Sequence, residues 1–225
     1  MTAYFLKTPA TLYHFYVNIN QTETTETKRI IIALIGPAFS LCAGALFWIF
    51  YEKSVSTTAK LFLLYAAILG INIFFGNLFS TAFAGDFSKV FRLLHFSQAL
   101  RYSISAMGLL ALIYFMLMAG KEFFQIGFSQ VKQKEQTIIN LLLIPWILGT
   151  GLLILAYTPL PSHFVTGMIL GSVFWIFSII GAVRGKPAAK GMHFSGMLLS
   201  PADVVLFLVS ILVVRILVPG VHFSP

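Results

Sequence analysis

Residues 30–51 read IIIALIGPAFSLCAGALFWIFY, and this stretch decides the fold class. It contains no charged residue and is about as long as the roughly 20-residue apolar helix that crosses a bilayer. Two basic residues, Lys28 and Arg29, stand directly before it, where lipid headgroups favour cations. The sequence therefore predicts a membrane-spanning helix from about Ile30 to Tyr51.

The rest of the chain has the same apolar character. Of its 225 residues, 58% are hydrophobic and 10% are charged, and the mean hydropathy is +0.90. A soluble domain carries about a quarter charged residues, so this composition excludes a soluble enzyme, a disordered protein and a nucleic-acid binder. The net charge of +8 comes from Lys and Arg between the apolar runs, which is typical of loops at lipid headgroups. We expect an integral, multi-pass protein of a bacterial inner membrane, with the lipid bilayer as its main partner and no nucleic acid.

Further apolar runs predict about six transmembrane helices in all. The five that follow the first cover approximately residues 61–84, 103–119, 138–157, 163–183 and 201–218. Residues 12–20 alternate between apolar and polar side chains, which predicts a short strand-like element before the membrane. Residues 86–101 have apolar side chains at helical spacing opposite Lys89 and Arg92, which predicts an amphipathic helix lying in the interface.

The predicted fold class is thus all-α, a polytopic membrane protein with a single membrane domain. Residues 1–29 form an N-terminal extramembrane segment, residues 30–101 a membrane core, and residues 102–225 additional transmembrane helices. Basic residues occur on both sides of the predicted spans, so the charge pattern leaves the membrane orientation open.

Polar residues inside the apolar runs are the candidate functional residues, because burying them in a membrane is costly. The second span carries Asn77 and ends in Gly85-Asp86, which favours either unwound backbone lining a cavity or an ordinary helix end with a solvated carboxylate. Gly36-Pro37 in the first span indicates either a kinked packing helix or a close approach of another helix.

Motifs of known hydrolytic chemistry are absent from the sequence. None of the five histidines is paired at i, i+4, so the chain has no His-Glu-x-x-His zinc motif. There is also no Gly-x-Ser-x-Gly, no phosphate-binding glycine loop and no Cys-x-x-Cys. The residues themselves therefore assign no catalytic side chain.

Two segments together resemble the site-2 protease family of intramembrane zinc metalloproteases. The first is GPAFS at 36–40, which follows the strand-like element as the family's Gly-Pro signature does. The second is GNLFS at 76–80 with GDF at 85–87, one span later, followed by an amphipathic stretch. The resemblance covers about residues 12–97. It implies a transmembrane protein substrate or partner, Asn77 as a substrate-binding residue and Asp86 as a zinc ligand, while Gly36 and Pro37 are expected to be structural.

The chain departs from the family at several positions. Ser40, Ser80 and Phe87 replace the Asn, Pro and Gly of its signatures, and the helix that carries His-Glu-x-x-His is not in these residues. One carboxylate cannot hold a catalytic zinc, which takes three protein ligands, so zinc is expected only if further ligands are supplied. The chain is either a shortened member whose catalytic helix lies elsewhere or a diverged pseudoenzyme that binds a membrane partner. The changes at three positions favour the pseudoenzyme.

Two further hypotheses stand beside the resemblance. The chain could instead be a small membrane transporter or channel, which requires a polar path through spans three to six. It could also be a non-catalytic subunit of a membrane complex whose partner supplies the chemistry.

Overall fold

The computed structural model describes residues 10–12, 17–19, 24–131, 134–157, 172–185 and 221–223. The α-helices of the described residues, in chain order, are α1 Glu26–Lys53, α2 Thr57–Phe79, α3 Asp86–Leu93, α4 Gln98–Val131, α5 Lys134–Ile138, α6 Ile144–Tyr157 and α7 Trp175–Arg184. A 3-10 turn, Ser80–Ala82, follows α2, and a π-helical turn, Ile139–Leu143, joins α5 to α6. Three short strands are β1 Ala10–Leu12, β2 Val17–Ile19 and β3 Val221–Phe223.

Among the described residues, four helices are long and apolar enough to cross a membrane: Glu26–Lys53, Thr58–Ala82, Gln98–Gly127 and Glu135–Leu152. A helix satisfies its own backbone hydrogen bonds, which is why apolar runs in lipid become helices. The predicted helical, multi-pass fold class is confirmed at this level, and the fold is compatible with a membrane protein. The predicted sixth span and residues 163–171 of the fifth lie outside the described residues.

The helices pack as a series in which α1 contacts α2, α2 contacts α4, and α4 contacts α7. Glycines make the closest crossings. A Cβ on Gly70 of α2 would lie 2.5 Å from the carbonyl oxygen of Ser40 and 2.9 Å from Cα of Gly44, both in α1. In the same way, Gly120 of α4 meets the backbone of Ser178 in α7. Small residues let backbones approach closely, which is a main source of helix association in membranes.

One continuous core runs through these helices. Its largest fully buried apolar side chains come from α2, α4 and the π-helical turn: Leu64, Leu112, Met116, Phe123, Phe124, Ile126 and Leu142. Side chains on the outward faces are exposed and apolar, including Phe39 at 73% and Met107 at 67%. That distribution is the one expected when lipid surrounds the bundle.

The helix boundaries differ from the predictions at two places. The predicted interfacial helix ends at Leu93, because the chain turns at His95, whose φ is 55°. The third span continues past Ala119 to Val131, through residues predicted to form a loop. It does so because Phe123, Phe124 and Ile126 are buried and keep that part of α4 packed.

The three strands form one antiparallel sheet in the order β2-β1-β3. Ala10 pairs with Ile19 on one side and with Phe223 on the other. The strand Val17–Ile19 lies within the strand-like stretch 12–20. The sheet therefore joins the segment before the first span to residues near the C-terminus.

Candidate functional site

The end of α2 is built from polar side chains that bond to backbone carbonyls of the preceding turn. The amide nitrogen of Asn77 donates to the carbonyl oxygen of Ile73 at 2.9 Å. The hydroxyl of Ser80 donates to the carbonyl oxygen of Asn77 at 2.9 Å, and the hydroxyl of Thr81 reaches the same oxygen at 3.4 Å. Carbonyls at a helix end lack intrahelical donors, so these hydroxyls stabilise the end of α2.

Gly85 brings this helix end against the start of α3. Its φ of 97° lies in the region that favours glycine, and it precedes the first residue of α3. A Cβ at this position would lie 2.8 Å from Oγ of Ser80 and 3.3 Å from Oδ1 of Asn77. The structure thus places Asn77 beside the Gly85-Asp86 step, with its amide oxygen facing the Gly85 backbone.

Asp86 is the first residue of α3, a helix that packs against α1 and against the end of α2. Its side chain is 46% exposed, and one carboxylate oxygen lies 3.8 Å from Nζ of Lys89. Burial raises the pKa of the Asp86 carboxyl above its ordinary value of 3.8, while the Lys89 charge acts in the opposite direction. An acid is favourable at a helix N-terminus, so this position also suits a structural carboxylate.

Gly36 and Pro37 are consecutive residues of α1 but differ in their surroundings. Pro37 is buried, whereas no described atom outside the local helix lies within 4 Å of where a Cβ would stand on Gly36. The hydroxyl of Ser40 donates to the carbonyl oxygen of Gly36 at 3.0 Å. Within the described residues, no hydrogen bond or ion pair joins Gly36 or Pro37 to Asn77 or Asp86.

The donor set around Asp86 does not fit a catalytic zinc. Such an ion takes three protein ligands and a water. In the part of the chain that the structure describes, no three His, Cys, Asp or Glu side chains come together in a group that could hold a metal. We therefore derive no step of a reaction through a metal at this site.

Two residues that the sequence did not single out contact the same helix end. The hydroxyl of Ser105 in α4 donates to the carbonyl oxygen of Phe79, the last residue of α2. A Cβ on Gly108 would lie 2.7 Å from the backbone nitrogen of Phe79. Small residues spaced i, i+3 in a span were the available signal for this packing face.

The candidate site thus consists of Asn77, Ser80, Gly85 and Asp86, at the turn between the end of α2 and the start of α3. We call it the Asn77–Asp86 site. No protein-family model, no curated protein and no solved structure matches the chain.

Proposed function

We propose that the protein is a multi-pass membrane protein that binds a membrane segment of a partner protein at the Asn77–Asp86 site and does not cleave it. The observation that carries the proposal is the approach of Asn77 Oδ1 and Ser80 Oγ to the Gly85 backbone, next to the Asp86 carboxylate. These groups gather at the end of a candidate membrane span. The resemblance to site-2 proteases, a family that acts on transmembrane proteins, agrees with such a partner.

The chemistry of the site suits an unwound stretch of membrane helix. When a helix ends near the edge of the bilayer, its free backbone N–H groups need acceptors. Asn77 supplies an amide oxygen and Asp86 a carboxylate, and both are acceptors. The amide nitrogen of Asn77 is already bonded to Ile73, which fixes the direction of its oxygen.

Hydrolysis needs groups beyond these. The Asp86 carboxylate lies beside Lys89, and one carboxylate does not supply the ligands that lower the pKa of a zinc-bound water. The proposed role is therefore that of a pseudoenzyme or binding subunit, in which Asn77 and Asp86 recognise the partner.

We also propose six transmembrane helices. Backbone hydrogen bonds between β1 and β3 cannot form across a hydrocarbon layer of about 30 Å, so both strands lie on one side of the membrane. The chain between them then crosses an even number of times. Helix α7 packs on α4 at Leu117 and Gly120, inside a candidate span, which supports a fifth crossing and with it a sixth.

A small transporter or channel is the second candidate, and one observation favours it. The π-helical turn Ile139–Leu143 interrupts the fourth span, and interrupted helices often line transport sites. However, a permeation path needs polar lining. The small cleft beside this turn is lined mainly by apolar side chains, among them Phe123, Phe124 and Leu142. Partner binding is therefore the better-supported role.

Site-specific photocrosslinking in native membranes tests the proposal. A photoreactive phenylalanine analogue replaces Phe83, which is 63% exposed and lies between Ser80 and Asp86, or replaces Met107, which is exposed on the outer face of α4. We expect one protein adduct of discrete mass from position 83 and none from position 107.

Asn77→Ala should reduce the adduct because it removes the acceptor. The matched control is Asn72→Ala on the same helix, since Asn72 faces the cleft lined by Trp48 and Leu112 instead. Equal adducts from positions 83 and 107, or equal losses with both asparagine variants, would contradict partner binding at this site.

A further inference from the structure

A basic corner connects the end of α2 to the start of α4. We call residues 83–105 the α3–α4 corner. It carries three cations, Lys89, Arg92 and Arg101, against one acid, Asp86. Lys89 lies beside that acid, 3.8 Å from its carboxylate. The two arginines therefore carry the net positive charge of the corner.

Arg92 is exposed but held in place. Its Nη2 donates to the backbone carbonyl oxygen of Phe83 at 3.1 Å. A guanidinium has five N–H donors in a planar fork, so one such bond fixes its orientation and leaves donors for another ligand. The side chain of Arg92 is thereby positioned at the rim of the corner.

Arg101 has an unsatisfied donor. Its Nε is buried and has no hydrogen-bond partner among the described residues. Arg101 shares one helix face with Ser105 and Gly108, at i, i+4 and i+7, and both of those residues contact Phe79. Arg101 therefore lies one turn beyond the contact with the end of α2. Because Nε is covered, the terminal Nη groups of Arg101 are the donors that an acceptor from outside the protein can reach.

Apolar side chains project around these cations. Phe83 is 63% exposed, Leu94 46%, Leu100 43% and Phe96 37%. Phe83, Leu94 and Phe96 lie between two candidate membrane spans, Thr58–Ala82 and Gln98–Gly127, and Leu100 lies in the first turn of the second, so all four are at a membrane boundary. Cations next to exposed apolar side chains at this depth match a layer in which phosphates lie above acyl chains.

At the opposite ends of α2 and α4, acids lie next to the end of α1 and accept hydrogen bonds there. The Tyr51 hydroxyl donates to Glu122 at 2.6 Å, and Nε1 of Trp48 donates to Glu52 at 3.0 Å. Lys60 lies 5.7 Å from the centre of the Tyr51 ring. That end mixes acids with cations, whereas among the described residues no ion pair joins Arg92 or Arg101 of the α3–α4 corner to an acid.

We propose that the α3–α4 corner binds the phosphate of an anionic phospholipid, with Arg92 and Arg101 as the donors. The positive charge of the two arginines is complementary to the negative charge of the lipid phosphate. The exposed phenylalanines and leucines would contact the acyl chains of the lipid. The corner adjoins the Asn77–Asp86 site at Phe83 and Asp86, but the phosphate donors Arg92 and Arg101 are not among the residues proposed to recognise the partner.

Native mass spectrometry of the full chain from nanodiscs tests this proposal. The nanodiscs contain phosphatidylcholine alone or phosphatidylcholine mixed with phosphatidylglycerol, and bound phosphatidylglycerol is counted for each variant. We expect retained phosphatidylglycerol on the unmodified protein. Arg92→Gln and Arg101→Gln should each weaken its retention about fivefold, the usual contribution of one cation at an anionic surface.

Lys121→Gln is the matched control, since it removes an exposed cation from the other end of α4. Arg92→Gln changes only an exposed side chain, so this variant is expected to fold. The proposal is overturned if both arginine variants retain the lipid fully, or if Lys121→Gln weakens retention as much. Displacement of the lipid by soluble inorganic phosphate would also overturn it, because that result assigns the corner to a free anion.

Discussion

The hydroxyl of Tyr65 in α2 donates a hydrogen bond to the backbone carbonyl oxygen of Leu141 in the π-helical turn. Pro145 follows Leu141 by four residues and has no N–H, so it cannot close the α-helical turn onto that carbonyl. The Tyr65 hydroxyl therefore takes the place of the backbone N–H that Pro145 lacks. Its ring also packs against Phe123, with ring centres 4.6 Å apart, which joins α2, α4 and the fourth span.

Tyr65→Phe should destabilise the folded protein by about 1 kcal/mol, the usual contribution of a side-chain hydrogen bond between membrane helices. The ring contact is preserved, so the loss reports the missing donor. Unfolding of the purified protein in mixed detergent micelles measures the change. Tyr114→Phe, at a 60% exposed position, is the control and should have no effect. An equal effect at both positions would show that the Leu141 carbonyl does not depend on Tyr65.

Gly70→Ala should destabilise the crossing of α1 and α2 by about 1–3 kcal/mol, although alanine is the better helix former by about 1 kcal/mol. The new Cβ would lie 2.5 Å from the Ser40 carbonyl oxygen, and backbone atoms cannot move aside cheaply. Gly149→Ala is the control, because no described atom outside its local helix lies within 4 Å of its Cβ position. The same unfolding measurement applies, and a neutral Gly70→Ala would show that the helices cross elsewhere.

Pairing of β1 with β3 predicts a specific cross-link. Thr11 is directly opposite His222, and Leu12 is opposite Val221. In a Cys42→Ala background, which removes the one native cysteine, Thr11→Cys with His222→Cys should form a disulfide in native membranes. Gel mobility before and after reduction measures it. The out-of-register pair Thr11→Cys with Val221→Cys should cross-link far less, and equal cross-linking of both pairs would argue against this register.

Asp86 should make stability fall as the pH rises. Burial raises its pKa in the folded state above the ordinary value of 3.8, so the folded state binds the proton more tightly than the unfolded state. The resulting contribution of Asp86 to the free energy of unfolding is present at acid pH and is lost as the pH rises through the folded-state pKa. Asp86→Asn should flatten that part of the profile of unfolding midpoint against pH. Glu26→Gln, at an exposed acid, is the control, and an unchanged profile in Asp86→Asn would exclude Asp86 as its source.

Much of the fold is predictable because an apolar run in lipid forms a helix, which satisfies its own backbone hydrogen bonds. The first two spans, predicted at 30–51 and 61–84, correspond to helices Glu26–Lys53 and Thr58–Ala82. The end of the third span was predicted too early, because the charged residues Lys121 and Glu122 are typical of a loop. Its partner is the hydroxyl of Tyr51, on a helix 71 residues away in the chain. The composition of the sequence around Glu122 gives no information about that long-range contact.

The candidate site was predictable only where it is local. Asn77 and Asp86 are nine residues apart, and a glycine turn between them is evident in the sequence. Which helices meet there depends on long-range packing. Gly36-Pro37 stands out in the sequence as a Gly-Pro pair inside an apolar span, whereas the close crossings of the described residues use glycines such as Gly44, Gly70 and Gly108. A glycine permits a close crossing only when it lies on the face that a second helix covers. The sequence of one helix does not show which face that is.

The most direct test of the central claim is the intact mass of the adduct formed from position 83, measured with and without prior treatment of the membranes with a metal chelator. If the Asn77–Asp86 site binds its partner without a metal and without cleavage, the adduct has the summed mass of two intact chains and its yield is unchanged by the chelator. An adduct that is lost on chelation and restored by zinc would contradict the account. So would a cleaved partner that becomes intact in Asp86→Asn.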